Sequence, residues 1–255
     1  MVYTFRGGIH PGPHSDPGYK AATNTKPIEL LPAPDQVILP VSMHIGAPAS
    51  PCVKVGDIVD MGQTVAEAGG FVSAPVHATV SGKVVAVEPR LHPNGSKVLS
   101  VVIENDHEDR LREAVHPYDF EAMSNEERIE LIRSAGMVGH GGATFPTHVK
   151  IQSGIGKVDT IIVNAAECEP YITSDHRLLL ERPEEVVGGL KMLVKILGVQ
   201  TAIIGMEENK ADAFPGIEKL IAGDPVLKLY PLKCKYPQGA EKQLINACGY
   251  LHFRG

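Results

Sequence analysis

The feature that most constrains this chain is a change of hydrophobic period near its middle. Residues 37–104 carry only short runs rich in β-branched side chains, at 37–41, 52–55, 64–66, 78–80, 83–87 and 98–103. Gly46, Gly56-Asp57, Gly62, Gly69-Gly70, Gly82 and Asn94-Gly95 divide them. Runs this short cannot complete an amphipathic helix, and with regular turn signals they predict a small all-β unit. From residue 124 the period becomes helical. Ser124 and Glu127 form a capping box, Ile129, Leu131 and Ile132 supply an apolar face, and Gly136 stops the helix. A strand at 160–163 follows. Pro183 then opens a helix with Glu184 and Glu185 in its first turn, Val186, Val187, Leu190, Leu193, Val194 and Leu197 along one stripe, and Gly198 as its stop. Strands at 201–204 and 226–232 alternate with helices at 208–222, where Pro215-Gly216 predicts a break, and at 241–247. Strand and helix in alternation predict a mainly parallel α/β sheet, whose sites form at the carboxyl ends of the strands.

The expected organisation is an extended arm at 1–36, a β domain at 37–104, a polar linker at 105–123 and an α/β domain at 124–255. Pro11, Pro13, Pro17, Pro27, Pro32 and Pro34, with Gly7, Gly8, Gly12 and Gly18, keep the arm irregular. His10 and His14 have the i, i+4 spacing of a helical metal pair, but Pro11 and Pro13 forbid that helix.

Composition narrows the function classes. The net charge of −6 lacks the basic footprint of a duplex binder, and 5% aromatic residues with no Trp disfavour a stacking platform, so no nucleic-acid partner is expected. Residues 1–127 hold nine Lys/Arg against sixteen Asp/Glu, and residues 128–255 hold fifteen against fourteen, so the second half suits an anionic ligand better. Cys52, Cys168, Cys234 and Cys248 are too scattered for a zinc motif and read as reduced thiols. The N-terminal stretch lacks the apolar core of a signal peptide, and no run approaches the 18 apolar residues of a membrane span.

Three segments carry candidate chemistry. The first is 136–150, with Gly136, Gly139, Gly141 and Gly142 inside seven residues, followed by Phe145 and Lys150. Its spacing fits neither GxGxxG nor the P-loop. It reads equally as a backbone cradle for a phosphate or flat ring and as a structural connection. The second, Asn164 to Tyr171, follows a strand. Asn164 can both donate and accept toward a heteroaromatic edge, and Glu167 and Glu169 alternate, so extended backbone would aim both at one side. Read alone, that pair is a solvated acidic face. The third, Lys235 to Lys242, could present Gly239 and Ala240 N–H groups at a helix start.

Two cadences in the β region, 55–66 and 73–84, resemble the flattened barrel of biotinyl and lipoyl carrier domains, a barrel-sandwich hybrid. No Lys occurs from 55 to 82, so a swinging-arm role is not expected and the barrel reads as a docking or spacing module. The sequences at 141–150, 164–177 and 236–244, with the FRGGIHP stretch at 5–11, resemble the C subunit of the Rnf ion-translocating complex, and more loosely the flavin subunit of respiratory complex I. The resemblance implies a peripheral subunit on the cytoplasmic side of the membrane. It implies non-covalent FMN and NAD(H), and an enzyme exchanging electrons between NAD(H) and ferredoxin beside other membrane and iron–sulfur subunits. Carried onto this chain, it implies Gly139, His140, Gly141, Gly142, Ala143, Phe145 and Lys150 along FMN and nicotinamide. Asn164 would bond the flavin, Glu167 and Glu169 would lie toward flavin and NADH, and Gly239, Ala240 and Glu241 would complete the site. The complex I pattern differs at His140 (Arg), Thr144 (Gly), Ala166 (Asp) and Cys168 (Gly). The family's cysteine-bound [4Fe–4S] clusters lie in a later segment, so this chain is expected to be truncated before them. The alternatives are the A subunit of a Na+-translocating NADH:quinone reductase and a non-catalytic docking module with an inherited but empty flavin site.

Overall fold

A computed structural model describes residues 1–113, 118–140 and 144–250. By contacts the chain forms two compact units, Leu31–Ile155 and Met1–Leu30 with Gly156–Gly255.

The first is the barrel unit. Strands β1 (Gln36–Pro40), β2 (Ser50–Pro51), β3 (Ile58–Val59), β4 (Thr64–Glu67), β5 (Val76–His77), β6 (Gly82–Leu91) and β7 (Lys97–Asn105) make two antiparallel sheets, in the orders β1-β7-β6-β3 and β2-β4-β5. One apolar core joins them. Val65 and Val76 from the smaller sheet pack with Val59, Val84, Val101 and Ile103 from the larger. Asn94-Gly95 makes the β6–β7 turn, as the sequence predicts, with the His92 N–H donating to Ser96 O at 2.8 Å. The expected run at 52–55 does not form a strand. Asp57 Oδ2 accepts the Lys54 N–H at 2.9 Å, and this local turn draws the backbone out of the ladder after β2. The 78–80 run likewise begins just after β5.

The barrel unit also takes in α1 (Asn125–Ser134) and α2 (Thr147–Gly154). Both halves of the capping box are made. Ser124 Oγ accepts the Glu127 N–H at 3.2 Å and Glu127 Oε2 accepts the Ser124 N–H at 2.7 Å. Helix α2 had no sequence signal of its own; the glycine-rich segment reaches only its first turn, to Lys150.

The α/β unit is built on three parallel strands, β8 (Thr160–Ala165), β9 (Thr201–Glu207) and β10 (Leu227–Leu232), with β9 in the centre. A strand covered on both faces carries a continuous apolar run, and β9 does so from Ala202 to Met206, all buried. Ala202, Ile204 and Met206 point to one core, shared with α3 (Ser174–Glu181), α4 (Pro183–Leu197) and α5 (Phe214–Ile221). Ile203 points to the other, with Leu232 and with Leu244 and Ala247 of α6 (Glu241–Ala247). Gly198 closes α4 at φ 66°, its N–H donating to Val194 O at 2.9 Å. Pro215 does not break the expected 208–222 helix. It lies in the first turn of α5, where its missing N–H costs nothing, and the discontinuity falls earlier, in a 3-10 helix over Glu208–Ala213.

The arm belongs to the α/β unit. Tyr3 adds a parallel bridge beside β10 at Leu232, and its ring stacks on Tyr230 at 4.1 Å. Ile9 and Tyr236 exchange backbone hydrogen bonds at 2.8 Å in each direction.

Candidate functional site

The glycine-rich segment lies in the barrel unit. Helix α1 ends where Gly136 turns at φ 67°, and a Cβ there would meet Pro75 O at 2.7 Å and the His77 ring at 3.1 Å. Only glycine fits so close to β5. The chain then runs out and back as a narrow loop. Val138 bridges Pro146, the Gly139 N–H donates to Phe145 O at 2.9 Å, and the Thr147 N–H donates to Met137 O at 2.9 Å. Thr144 holds φ 51°, a left-handed conformation costing a β-branched residue roughly 1–2 kcal/mol. This is the position where the complex I pattern carries glycine. His140, Phe145 and Lys150 are exposed. Gly141, Gly142 and Ala143 lie outside the described residues. His148, which the sequence reading did not single out, is buried on α2, its ring edge-on to Phe71 at 6.5 Å. Burial holds its imidazole below the usual histidine pKa, and Nδ1 has no hydrogen-bond partner. Phe71 belongs to the barrel turn where a carrier domain would bear its lysine.

The other two segments lie in the α/β unit, at the carboxyl ends of β8 and β10, where parallel sheets place their sites. They are clasped together. Asn164 Nδ2 donates to Gly239 O at 2.8 Å, and Asn164 Oδ1 accepts the Ala166 N–H at 3.2 Å. Cys168 Sγ accepts the Gly239 N–H at 3.2 Å, and a Cβ on Gly239 would overlap the Ala166 carbonyl oxygen. Burial pushes the Cys168 thiol up in pKa.

Glu167 and Glu169 do not face one side. Glu167 is 7% exposed and Glu169 is open to solvent. The Glu167 carboxylate turns to the start of α3, where Oε1 accepts the Asp175 N–H at 2.8 Å and the Ser174 hydroxyl at 3.1 Å, and Oε2 the His176 N–H at 3.3 Å. It caps a helix whose own N-cap, Thr173, makes no side-chain capping bond and instead donates its hydroxyl to Thr23 Oγ1 at 2.8 Å. The extended backbone on which the one-sided expectation rests ends with β8. Nor are the Gly239 and Ala240 N–H groups free, since the second donates to Pro237 O at 3.1 Å. Glu241 is exposed at the start of α6.

Beneath these loops lies a buried polar layer that sequence reading missed. Lys210 and Glu207, each almost fully buried, pair at 3.0 Å, and Glu207 Oε1 has no partner. Gln238 is wholly enclosed with both amide atoms unpartnered. Lys20, 6% exposed, donates to the carbonyls of Glu167 at 2.8 Å, Glu169 at 2.6 Å and Ile172 at 2.5 Å. Lys235 does the same for the arm. Its ammonium donates to Phe5 O and, at 2.9 Å, to Gly7 O, and lies 3.9 Å from the Phe5 ring centre. Lysines in irregular or glycine-rich stretches have no periodic signature, so nothing in the sequence marked Lys20 as interior. His10 turns its ring toward the chain, Nδ1 lying 3.0 Å from Cys234 O. Among the described residues no helix is long and apolar enough to cross a membrane.

Comparison with known proteins agrees with this architecture. Residues 3–108 match the RnfC barrel sandwich hybrid domain, and residues 132–249 match the Nuo51 FMN-binding domain. The C subunit of the Na(+)-translocating ferredoxin:NAD(+) oxidoreductase complex of Acetobacterium woodii is 50% identical over 246 residues, covering 96% of this chain and 54% of that protein. The C subunit of the proton-translocating ferredoxin:NAD(+) oxidoreductase complex of Clostridium ljungdahlii is 46% identical over 248 residues, covering 96% and 53%. The C subunit of the ion-translocating oxidoreductase complex of Serratia proteamaculans is 40% identical over 245 residues, covering 95% and 34%. The chain spans about half the length of the first two relatives. With a barrel-sandwich hybrid followed by an FMN-binding α/β domain, and with relatives of 40–50% identity along nearly all its residues, the chain belongs to the RnfC family.

Proposed function

We propose that this chain binds FMN without a covalent bond, takes NAD(H) as redox partner, and serves as the peripheral C subunit of an ion-translocating ferredoxin:NAD(+) oxidoreductase on the cytoplasmic side of the membrane. The observation that carries the reading is the FMN-binding domain match over 132–249, which contains the glycine-rich loop and both clasped strand-end loops.

The residues present suit a flat, phosphate-bearing group, although not in every detail the resemblance implies. Lys150 offers an exposed cation and Phe145 an exposed ring. Asn164 is exposed and keeps one amide N–H beyond its bond to Gly239. Glu169 offers an exposed carboxylate to a ribose hydroxyl. The N–H groups of Gly139, Gly239 and Ala240 are engaged within the protein, so none of the three is offered to a phosphate. Glu167 supports the site from behind, fixing α3. Bound FMN would accept a hydride from NADH and release electrons one at a time. Iron–sulfur centres, ferredoxin and the remaining Rnf subunits enter this reading as partners downstream of the flavin.

The engaged N–H groups are also what favours the second reading, a docking module with an empty flavin site. Flavin titration separates the two. The purified chain should bind added FMN and then use NADH to reduce a small artificial acceptor. Gly239→Ala, which forces a Cβ into the Ala166 carbonyl, should displace the loop and weaken FMN binding about tenfold, a loss of about 1.4 kcal/mol. A chain that takes up no FMN at any concentration overturns the flavin reading, and equal binding by Gly239→Ala overturns the assignment of this loop.

A further inference from the structure

We propose that Lys20 is a positioning residue for the flavin site, an internal cation supplied by the arm that sets the shape of the strand-end loop bearing Asn164 and Glu169; the inference rests on the flavin reading above.

Three carbonyls of one irregular loop, at Glu167, Glu169 and Ile172, converge on the Lys20 ammonium within 2.5–2.8 Å. An ammonium has three donors and no acceptor, so it completes this triangle of acceptors with nothing left over. Carbonyls so close together repel each other and would be left without a donor if the cation were absent. The arm is shaped to deliver it. Asp16 Oδ1 accepts the backbone N–H groups of Lys20 at 2.7 Å and Ala21 at 3.0 Å, a local turn that presents the side chain. Gly18 O accepts the Tyr171 N–H at 2.9 Å, and the Tyr19 and Tyr171 rings stack at 5.4 Å on the outside of the same contact. The loop is thus held by the arm at 167–172, by α3 through the Glu167 carboxylate, and by Gly239 through Asn164. Glu169 shows the consequence most directly, since its carbonyl is tied inward to Lys20 while its carboxylate stands in solvent. None of the three residues that touch Lys20 through their carbonyls needs a particular side chain to do so, which leaves the exposed Glu169 carboxylate available to a ligand.

The test uses the full chain with Lys20→Met, which keeps the length and apolar stem but removes the charge and donors. FMN affinity is measured by fluorescence quenching at a temperature where circular dichroism shows the variant folded, and amide exchange is followed at 164–172. The expected result is an FMN Kd raised about tenfold or more, an altered visible spectrum of the bound flavin, and exchange at Ala166, Cys168 and Tyr171 faster by at least about tenfold, as for loss of a charged hydrogen-bond donor. A folded Lys20→Met chain with wild-type FMN affinity and spectrum overturns the proposal. Should Lys20→Met fail to fold, Tyr19→Ala removes an exposed ring from the same contact without burying an unpartnered carbonyl. It should raise the Kd about threefold, the worth of one aromatic pair, and an unchanged Kd overturns the proposal equally. Failure of wild type to bind FMN sinks the flavin reading instead, and the exchange measurement then still decides whether Lys20 sets the loop.

Discussion

The glycine-rich loop and the strand-end loops carry candidate site residues in two different ways. Between Met137 and Thr147 the fixed bonds run from backbone to backbone, and the neighbouring strand is approached through a glycine. Between Asn164 and Ile172 the backbone is held largely by side chains, by Lys20 reaching in and by Asn164, Glu167 and Cys168 of the loop itself reaching out. A loop closed by its own main chain tolerates change at most side chains and fails where a Cβ does not fit. A loop held by side chains should fail at single polar residues far apart in sequence.

The sharpest contrast comes from truncating one side chain on each. Glu167→Ala leaves the N–H groups of Asp175 and His176 without acceptors at the start of α3 and should destabilise the α/β unit by about 3 kcal/mol. Phe145→Ala in the glycine-rich loop removes an exposed ring whose backbone makes the bond, and should cost about 0.5 kcal/mol or less. Urea unfolding of the two variants checks the pair, and equal losses would erase the distinction. The glycine-rich loop should break instead at Gly136→Ala. The added Cβ meets both a left-handed φ and the Pro75 carbonyl, for a loss of about 2 kcal/mol visible in the barrel unit's amide exchange.

The smallest effect is one of pH. In the barrel unit burial lowers the pKa of His77 and His148. The unfolded chain therefore binds protons there before the folded one does, and stability is lost as pH falls through the usual histidine range near 6.5 and below. In the α/β unit burial raises the Cys168 thiol, and raises Cys234 and Cys248 to about 11. Stability from these groups is complete below the usual thiol range and is lost as pH rises toward 11. Amide exchange from pH 8 down to 5 should show the histidine loss loosening the barrel unit; on the alkaline side the lowered pKa values of buried Lys20 and Lys235 oppose the thiols of the α/β unit. His148→Phe should flatten the acid limb.

What could be read from the sequence follows the same division. Patterns that depend on neighbours in the chain were legible. The Ser124–Glu127 box, the Gly198 cap, the Asn94-Gly95 turn and the apolar run of β9 all appear where the residues place them. Long-range pairing was not. The alternation of Glu167 and Glu169 suggested a shared face, and the loop after β8 ended that alternation by turning Glu167 onto α3. The free N–H groups expected at Gly239 and Ala240 found partners at Cys168, 71 residues away, and at Pro237. Lys20 is separated from its partner carbonyls by about 150 residues, beyond the reach of any local rule.

The arm that bridges Tyr3 to Leu232 and Ile9 to Tyr236 has a consequence for synthesis on the ribosome. The barrel unit is uninterrupted in sequence and has all its residues once 155 has emerged. The α/β unit encloses it in chain order, and its first thirty residues emerge long before the strand they pair with. For that interval Phe5, Ile9 and Lys20 have no partners, and the glycines and prolines of the arm suit a segment that must stay extended and uncommitted while it waits. The α/β unit closes only when the arm meets β10 and the segment that follows it.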